Sequence, residues 1–346
     1  MHRQTIADCL MRPFSNTEEI ERKIVMILDI LKESQEPIGA RLIARQMQEA
    51  GIQLSERTVR YHLKLMDERG LTYLVGRRDG RIITDRGIDE LNNAMVQYKV
   101  GLAISRIEIL AYMTSFNPES GQGLVPVNVS IFPNESFRDA LKAMKPAFDS
   151  GLAVSDLVAV ANENTRLGNV LIPAGKTGFA TVCSIVINGV LLKAGIPVIA
   201  KFGGIIQMKN GKPLRFVELI HYSGSSLDPS EAFIRGEMTS VRKVLENGDG
   251  KILANFREVP APCRPIVEEI ITKLRKSRIE GIISIGEIGE PICQIHVDLN
   301  KVGMILMGGL NPVACAQEVG IKAENRGMAA LMDYQYLQKF SKIYKK

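Results

Sequence analysis

The stretch from Ser55 to Gly70, SERTVRYHLKLMDERG, limits what this chain can become more than any other. Ser55 can accept a hydrogen bond from a free amide in the first turn of a helix, and Gly70 can adopt the left-handed conformation that ends one. At about 100° per residue, Val59, Leu63 and Met66 share one side of that helix. Arg57, Arg60, Tyr61 and Lys64 share the other. A solvated basic face is one reading, since charged outer faces are common. A helix lying in the DNA major groove is the other, and the flanks favour it. Thr17 can cap a helix with Glu18 and Glu19 in its first turn, and Ile20, Ile24, Ile27, Leu28 and Leu31 continue as an apolar stripe. Pro37 breaks the chain, and a second helix runs from Ala40 to Gly51 with Leu42, Ile43 and Met47 inward. After Gly70, two β-like runs at 71–75 and 81–84 flank the turn-forming GRRDG at 76–80. Helix, helix, turn, recognition helix and two-stranded wing is the order of an α+β winged helix-turn-helix. The expected DNA contacts are Arg57, Thr58, Arg60, Tyr61 and Lys64, with Arg77 and Arg78 at the wing tip to meet phosphates, which orient rather than read.

A chain of 346 residues has room for two or three domains. Its net charge of +6 is mild support for a polyanionic partner. Five cysteines, Cys9, Cys183, Cys263, Cys293 and Cys315, are scattered and never paired as CxxC, so reduced thiols are expected, with no disulfide framework and no metal site. Residues 1–16 lack the apolar run of a secretory signal and read as a loose N-terminal arm. Apolar stretches are interrupted by Gly, Lys or Asn, so no membrane span and a cytoplasmic protein are expected. The winged helix occupies 17–84. A helical connector follows at 85–123, with a hinge at 84–89 and apolar stripes of Ile88, Leu91, Met95 and Val96, then Leu102, Ile107, Leu110 and Met113.

Residues 124–346 carry an internal repeat, the kind of signal that sets an architecture. A strand at 127–132, a helix at 136–150 and a strand at 157–161 recur as a strand at 251–256, a helix at 262–278 and a strand at 281–285. The stretch 168–175 then corresponds to 303–310, and each leads into a helix-like apolar run, 179–194 and 312–319. The fold class is an α/β regulatory domain with an internal βαβ-type duplication, preceded by the winged helix. Each repeat holds a glycine-bearing loop before a helix start: PAGKTG at 173–178 and GGLNP at 308–312. Such loops suit a carboxylate or phosphate, because free helix amides and close backbone approach coincide there. Lys176 could add a full charge, and Thr177 or Thr181 a hydroxyl. Two such loops facing across a pseudo-twofold could hold both ends of a small diacid. The alternative is that these glycines only fit tight turns.

Other motifs are thinner. The AGKT run at 174–177 lacks the glycine that a phosphate-binding loop needs five residues earlier, where Val170 stands. Asn210-Gly211 between two β-rich runs marks a hairpin. The cluster YSGSSLDP at 222–229 has the chemistry to hydrogen-bond a ligand, but reads first as a turn and N-cap leading into a helix through Ile234, Met238, Val241 and Leu245. Only four histidines occur, and no nucleophile elbow, HExxH or DxDxDG motif, so no catalytic residue is assigned. Cys183 reads as a buried structural thiol before it reads as a ligand contact or redox sensor.

The stretches TVCSIVINGVLLKAGIP at 181–197, KFGG at 201–204, SSLDP at 225–229 and GGLNP at 308–312 resemble the regulatory domain of NrpR, the nitrogen-regulatory repressor family of methanogenic archaea. The resemblance, with the winged helix in front, covers about 18–338. It implies a dimer or higher homo-oligomer that binds palindromic double-stranded operator DNA, represses nitrogen-assimilation genes and is released by 2-oxoglutarate, an allosteric effector rather than a cofactor. A single regulatory domain resembles the type that works with a separate NrpR-type regulatory subunit. The effector residues expected are Gly175, Lys176, Thr177, Gly178 and Thr181, with Gly308, Gly309 and Asn311 opposite, and Cys183 and Ser184 as second choices. Two competing readings are an enzyme acting on a small carboxylic acid with an appended winged helix, and a co-repressor scaffold.

Overall fold

A computed structural model of the chain describes residues 16–34, 36–49, 51–76, 79–94 and 99–345. The chain divides into two compact units, Met1–Val100 and Gly101–Lys346.

The first unit contains α1 (Asn16–Ser34), α2 (Ala40–Glu49), α3 (Glu56–Glu68), β1 (Thr72–Gly76), β2 (Gly80–Ile83) and α4 (Asp85–Asn93). β1 and β2 form the antiparallel wing, with Thr72 opposite Ile83. Ile24, Ile27, Leu28 and Leu31 of α1 share one buried core with Ile43 and Met47 of α2 and Val59, Leu63 and Met66 of α3. Leu42, expected inward, is 43% exposed, and Ala40 is buried instead. The inward stripe of α2 runs through 40, 43 and 47, so position 42 falls outside it. Thr17 lies within α1 rather than ahead of it. Residues 1–15, Arg77, Arg78, Met95 and Val96 lie outside the described residues. The hinge expected at 84–89 is displaced. Thr84 caps α4 by accepting the Gly87 N–H at 3.0 Å, and Leu91 of α4 is buried in the same core as α1. Helix 85–93 therefore belongs to the first unit, and the expected connector is divided at Val100.

The second unit opens with α5 (Leu102–Met113), followed by β3 (Leu124–Pro133), α6 (Asn134–Asp149), β4 (Leu157–Ala161), β5 (Arg166–Leu167), β6 (Val170–Leu171), β7 (Lys176–Val182), α7 (Ile185–Lys193), β8 (Ile199–Lys209) and β9 (Lys212–His221). Then come α8 (Pro229–Arg235), α9 (Val241–Asn247), β10 (Gly250–Pro260), α10 (Arg264–Lys276), β11 (Ile282–Ile288), β12 (Lys301–Met307), α11 (Asn311–Gln317), β13 (Glu324–Asp333), β14 (Gln338–Lys339) and α12 (Phe340–Tyr344). Where one helix was expected from 229 to 245 there are two, because Glu237 takes a positive φ of 54° between them.

Two five-stranded sheets have the orders β13-β3-β7-β4-β14 and β11-β12-β10-β8-β9. All strand pairs among the described residues are antiparallel. β3 and β4 are joined through α6 and lie parallel on either side of β7; β10 and β11 stand in the same relation to β12. This is a split βαβ arrangement. The element order strand–helix–strand–strand–helix–strand thus occurs twice, but the fourth strands trade places. β8, which ends the first half, pairs with β10 of the second, and β13, which ends the second half, pairs with β3 of the first. The apolar run 179–194, expected to be helical, is strand up to Val182 and helix only from Ile185. A run buried on all sides carries no periodicity that separates the two.

Candidate functional site

On the first unit, the recognition helix is built as its sequence specifies. The Ser55 hydroxyl accepts the Thr58 N–H at 3.1 Å, and Gly70 closes the helix with φ of 72°. The Thr58 hydroxyl lies 2.8 Å from that of Ser55, so Thr58 also serves the cap. Arg57, Arg60, Tyr61 and Lys64 are exposed on one face. Arg60 pairs with Glu56 at 2.5 Å and Lys64 lies 3.8 Å from Glu68, both exposed pairs within the helix. Such pairs contribute about 0.3–0.5 kcal/mol and give way readily to phosphate. Asp67 does not face out: it accepts from Arg81 at 2.8 Å and Thr72 at 2.6 Å, fixing the wing to the helix. His62, which sequence reading left aside, is buried beside Leu63. Its Nδ1 has no partner, and burial first, then the Lys23 charge, holds it below its ordinary value of 6.5.

In the second unit, the turn after β7 and the turn after β12 meet where the two halves abut. A β-carbon on Gly309 would stand 2.4 Å from the Asn128 amide and 2.8 Å from the Val182 carbonyl, so only glycine permits that approach. Strand register places Val127 opposite Val182 and Ala254 opposite Met307. Asn128 and Asn255 therefore occupy equivalent positions, and each reaches the turn of the other half. The Asn255 amide donates to Ser184 Oγ at 3.2 Å, while Asn128 abuts Gly309. Tyr222 donates to Asn255 Oδ1 at 2.6 Å, and Asn128 Oδ1 accepts the Met328 N–H at 3.1 Å. Between these groups is a cavity of ≈ 20 Å³, lined also by Ile107, Cys183, Asp228, Ser230 and Arg257. That is room for about one water.

A family profile described as NrpR regulatory domains NRD1 and 2 matches residues 100–339, and a ribonuclease R winged-helix domain profile matches 25–91. The chain is 41% identical over 320 residues to the global nitrogen regulator NrpRI of Methanosarcina mazei, covering 92% of this chain and 98% of that one. The chain belongs to the NrpR family. It is 35% identical to the global nitrogen regulator NrpR of Methanocaldococcus jannaschii and 31% identical to that of Methanococcus maripaludis, covering 94% and 92% of this chain. It spans only 56% and 55% of the lengths of those two relatives. A crystal structure of a nitrogen repressor-like protein from Methanococcus jannaschii superposes with a TM-score of 0.59 at 28% identity, covering 69% of this chain and 98% of that one.

Three of the four stretches that carry the NrpR resemblance, 181–197, 225–229 and 308–312, contribute to the wall of this cavity, and the expected effector residues separate into those that reach it and those that do not. Cys183, Ser184 and Gly309 line it, and Thr181 touches it through Asn128, whose amide donates to Thr181 Oγ1 at 3.3 Å. Gly175, Lys176, Thr177 and Gly178 do not. They stand toward the opposite end of β7, roughly 13 to 23 Å from Val182 at about 3.3 Å per residue. The loop at 173–178 leads from β6 into a strand rather than into a helix. There Gly175 N–H donates to Glu163 at 2.5 Å and the Thr177 hydroxyl donates to Asn134 at 2.7 Å, so these groups are already engaged by neighbouring segments. The true counterpart of 308–310 is 183–185. Asn311 is fully engaged as well: it accepts the Leu253 N–H at 2.8 Å and donates to the Leu253 carbonyl at 3.0 Å. Gly308 packs against the same residue, where a β-carbon would lie 2.4 Å from Leu253 Cβ.

Two buried acids shape the electrostatics in and beside the NrpR cavity: Asp228, from the 222–229 cluster, and Glu231, which sequence reading did not single out. Asp228 caps α8 by accepting the Glu231 N–H at 3.0 Å, and burial raises its carboxyl. Glu231, which accepts the Gly327 N–H at 2.6 Å, is pushed up to about 7 by burial first and by the Asp228 charge second. The Cys183 thiol is pushed up to about 12, first by burial. Among the described residues, no cluster of His, Cys, Asp and Glu is arranged to hold a metal, and no helix is long and apolar enough to cross a membrane.

Proposed function

We propose that this chain is a transcriptional repressor of nitrogen-assimilation genes, binding palindromic operator DNA as a dimer and released when 2-oxoglutarate enters the cavity between the two halves. Its relatives are named nitrogen regulators. The twice-used element order supports reading the regulatory unit as a duplication with one effector site on its pseudo-twofold. The carrying observation is the wall of that cavity formed by α5. Ile107 of α5 lines the cavity, and α5 packs against Cys183, Ile185, Tyr222 and Met328. Arg106 donates to the Met328 carbonyl at 2.8 Å, and Gly101 N–H donates to Ser225 at 3.3 Å. α5 is also the first element of its unit, entered directly from the winged-helix unit at Gly101. A five-carbon diacid needs more room than one water, so its entry requires a wall to move, and α5, which supplies Ile107 to that wall, is the element that leads to the winged-helix unit.

Release then follows from linkage: the ligand favours the arrangement in which it fits, and only that difference in affinity moves the equilibrium. Half-sites one helical turn apart require recognition helices about 34 Å apart in the dimer, a spacing that a displaced α5 spoils. Amides, hydroxyls, a protonated thiol and a guanidinium suit binding rather than catalysis, which favours a regulator over an enzyme. A second NrpR-type subunit would join through the same regulatory unit. The test is operator binding by fluorescence anisotropy with and without 2-oxoglutarate at fixed salt, because salt alone shifts affinity greatly. Release is expected; operator affinity unmoved by saturating 2-oxoglutarate, or turnover of it, overturns the reading.

A further inference from the structure

Strand β13 breaks its register against β3 at one point. Arg326 stands opposite Val129 and Ala330 opposite Val127, so Gly327, Met328 and Ala329 lie opposite the single residue Asn128. Met328 holds this bulge with φ of 53°, a left-handed conformation that a long side chain rarely adopts. Such a conformation is retained only where its surroundings over-determine it, and it clusters at sites that change state. Three elements hold it here. Glu231 of α8 accepts the Gly327 N–H at 2.6 Å, Asn128 of β3 accepts the Met328 N–H at 3.1 Å, and Arg106 of α5 donates to the Met328 carbonyl at 2.8 Å. Gly327 admits no side chain, since a β-carbon would stand 2.7 Å from the Asp228 carboxyl carbon.

Of these ties, that of Arg106 leads to α5. The inner face of α5 is apolar, with Ala103, Ile107 and Leu110 sharing one small core with Met328. Apolar contacts have no direction and let a helix slide, whereas a hydrogen bond fixes one arrangement. We propose that Arg106 is the coupling residue of the regulator, a positioning residue that makes α5 follow the bulge at 327–329. The role rests on release by 2-oxoglutarate as proposed above, and adds the tie that carries it. Arg106 acts without meeting the ligand. A bulge that rearranges takes the Met328 carbonyl with it, and the guanidinium draws α5, the first element of its unit, along.

The test uses the full chain as wild type, Arg106→Met and Arg106→Lys. Operator affinity is read by anisotropy with and without saturating 2-oxoglutarate at fixed salt, and 2-oxoglutarate affinity by calorimetry with and without operator duplex. In wild type the two ratios are expected to be equal, as linkage requires, at about 5- to 150-fold. In Arg106→Met both are expected to fall below about 2-fold, while the free protein keeps its 2-oxoglutarate affinity within about 3-fold. Arg106→Lys keeps a donor one bond further out and is expected to retain ratios within about 3-fold of wild type. Hydrogen exchange separates the steps: 2-oxoglutarate is expected to change protection of both 327–329 and 102–113 in wild type, and of 327–329 alone in Arg106→Met. An arginine with a purely structural role would lower the melting temperature of Arg106→Met and leave both ratios at the wild-type value. Release that persists in Arg106→Met overturns the coupling role and leaves the regulator reading intact. Loss in Arg106→Lys as complete as in Arg106→Met overturns the hydrogen bond as the tie. A wild type that binds 2-oxoglutarate and stays on the operator overturns both the coupling role and the released-repressor reading.

Discussion

The winged-helix unit carries a row of cations on its surface, and the regulatory unit carries a buried one. Arg57, Arg60 and Lys64 stand in water on one helix face, two of them paired with acids a turn away. Arg257 is enclosed among Asn255, Tyr222 and Phe256, in a cavity that Asp228 also lines. Exposed cations cost the fold little, act over a Debye length of about 8–10 Å and attract any polyanion. An enclosed cation is costly until filled, acts only in contact, and discriminates by shape. The first arrangement suits a long, repetitive ligand, the second a small one.

The sharpest way to break that contrast is to close the enclosed site without touching its charge. Gly309→Val fills the approach between the two turns. It is expected to lower 2-oxoglutarate affinity by about 100-fold or more, as a clash in a packed site requires, while operator affinity stays at the wild-type value. Titration calorimetry beside anisotropy separates the two. Salt is the next discriminator. Operator affinity is expected to fall on the order of 10³-fold between 50 and 200 mM salt, whereas ligand affinity changes only a few-fold because a buried pair is weakly screened. Comparable slopes for both ligands would place the small-molecule site at the surface. Arg60→Ala should then cost about 1–3 kcal/mol on operator DNA and less on random DNA; equal losses reassign Arg60 to a phosphate. Acidity sharpens the contrast further, since buried titratable groups pull the units in opposite directions. His62 has a folded value below its ordinary 6.5, so the first unit loses stability as pH falls from 6.5 toward that value. Glu231 is raised from 4.5 to about 7, so its contribution is full below 4.5 and is lost as pH rises through 7. Hydrogen exchange on the full chain, corrected for intrinsic rates, should show opposite slopes, flattened by His62→Gln and Glu231→Gln respectively. The smallest effect expected is none: Lys176→Ala should leave both ligand and operator affinities unchanged, because Lys176 opens β7 at the end remote from the cavity.

The two units also differ in how far their chemistry could be read from the chain. In the winged helix, cap, stop and inward stripe all act within one helix, so Ser55, Gly70, Val59 and the basic face could be read directly. In the regulatory unit Ser184 was expected inside a helix, whereas the recurring element order was readable, and so was Gly309 in its glycine-bearing loop. The strand at 176–182 was not, because it merges into the apolar run of α7. That error placed the first cradle one strand-length before the turn that lines the cavity, at Lys176. Asn128, Asn255, Tyr222 and Arg257 come together only through strand pairing and the meeting of two halves. The available signal was a lone asparagine after an apolar residue at the same point of each repeat, and a charged pair, Arg257-Glu258, inside a buried strand. A polar side chain at a matched position in two buried strands is a stronger pointer than a glycine-rich loop.

The exchanged fourth strands bear on how the protein is made. β3 emerges early from the ribosome, yet its outer neighbour β13 is residues 324–333. For most of synthesis the nascent chain therefore carries a long apolar strand with one bare edge, the template on which unrelated chains pair. A stalled or truncated product ending before residue 324 keeps that edge open, so aggregation of incomplete chains, more than unfolding of finished ones, is where this architecture is vulnerable.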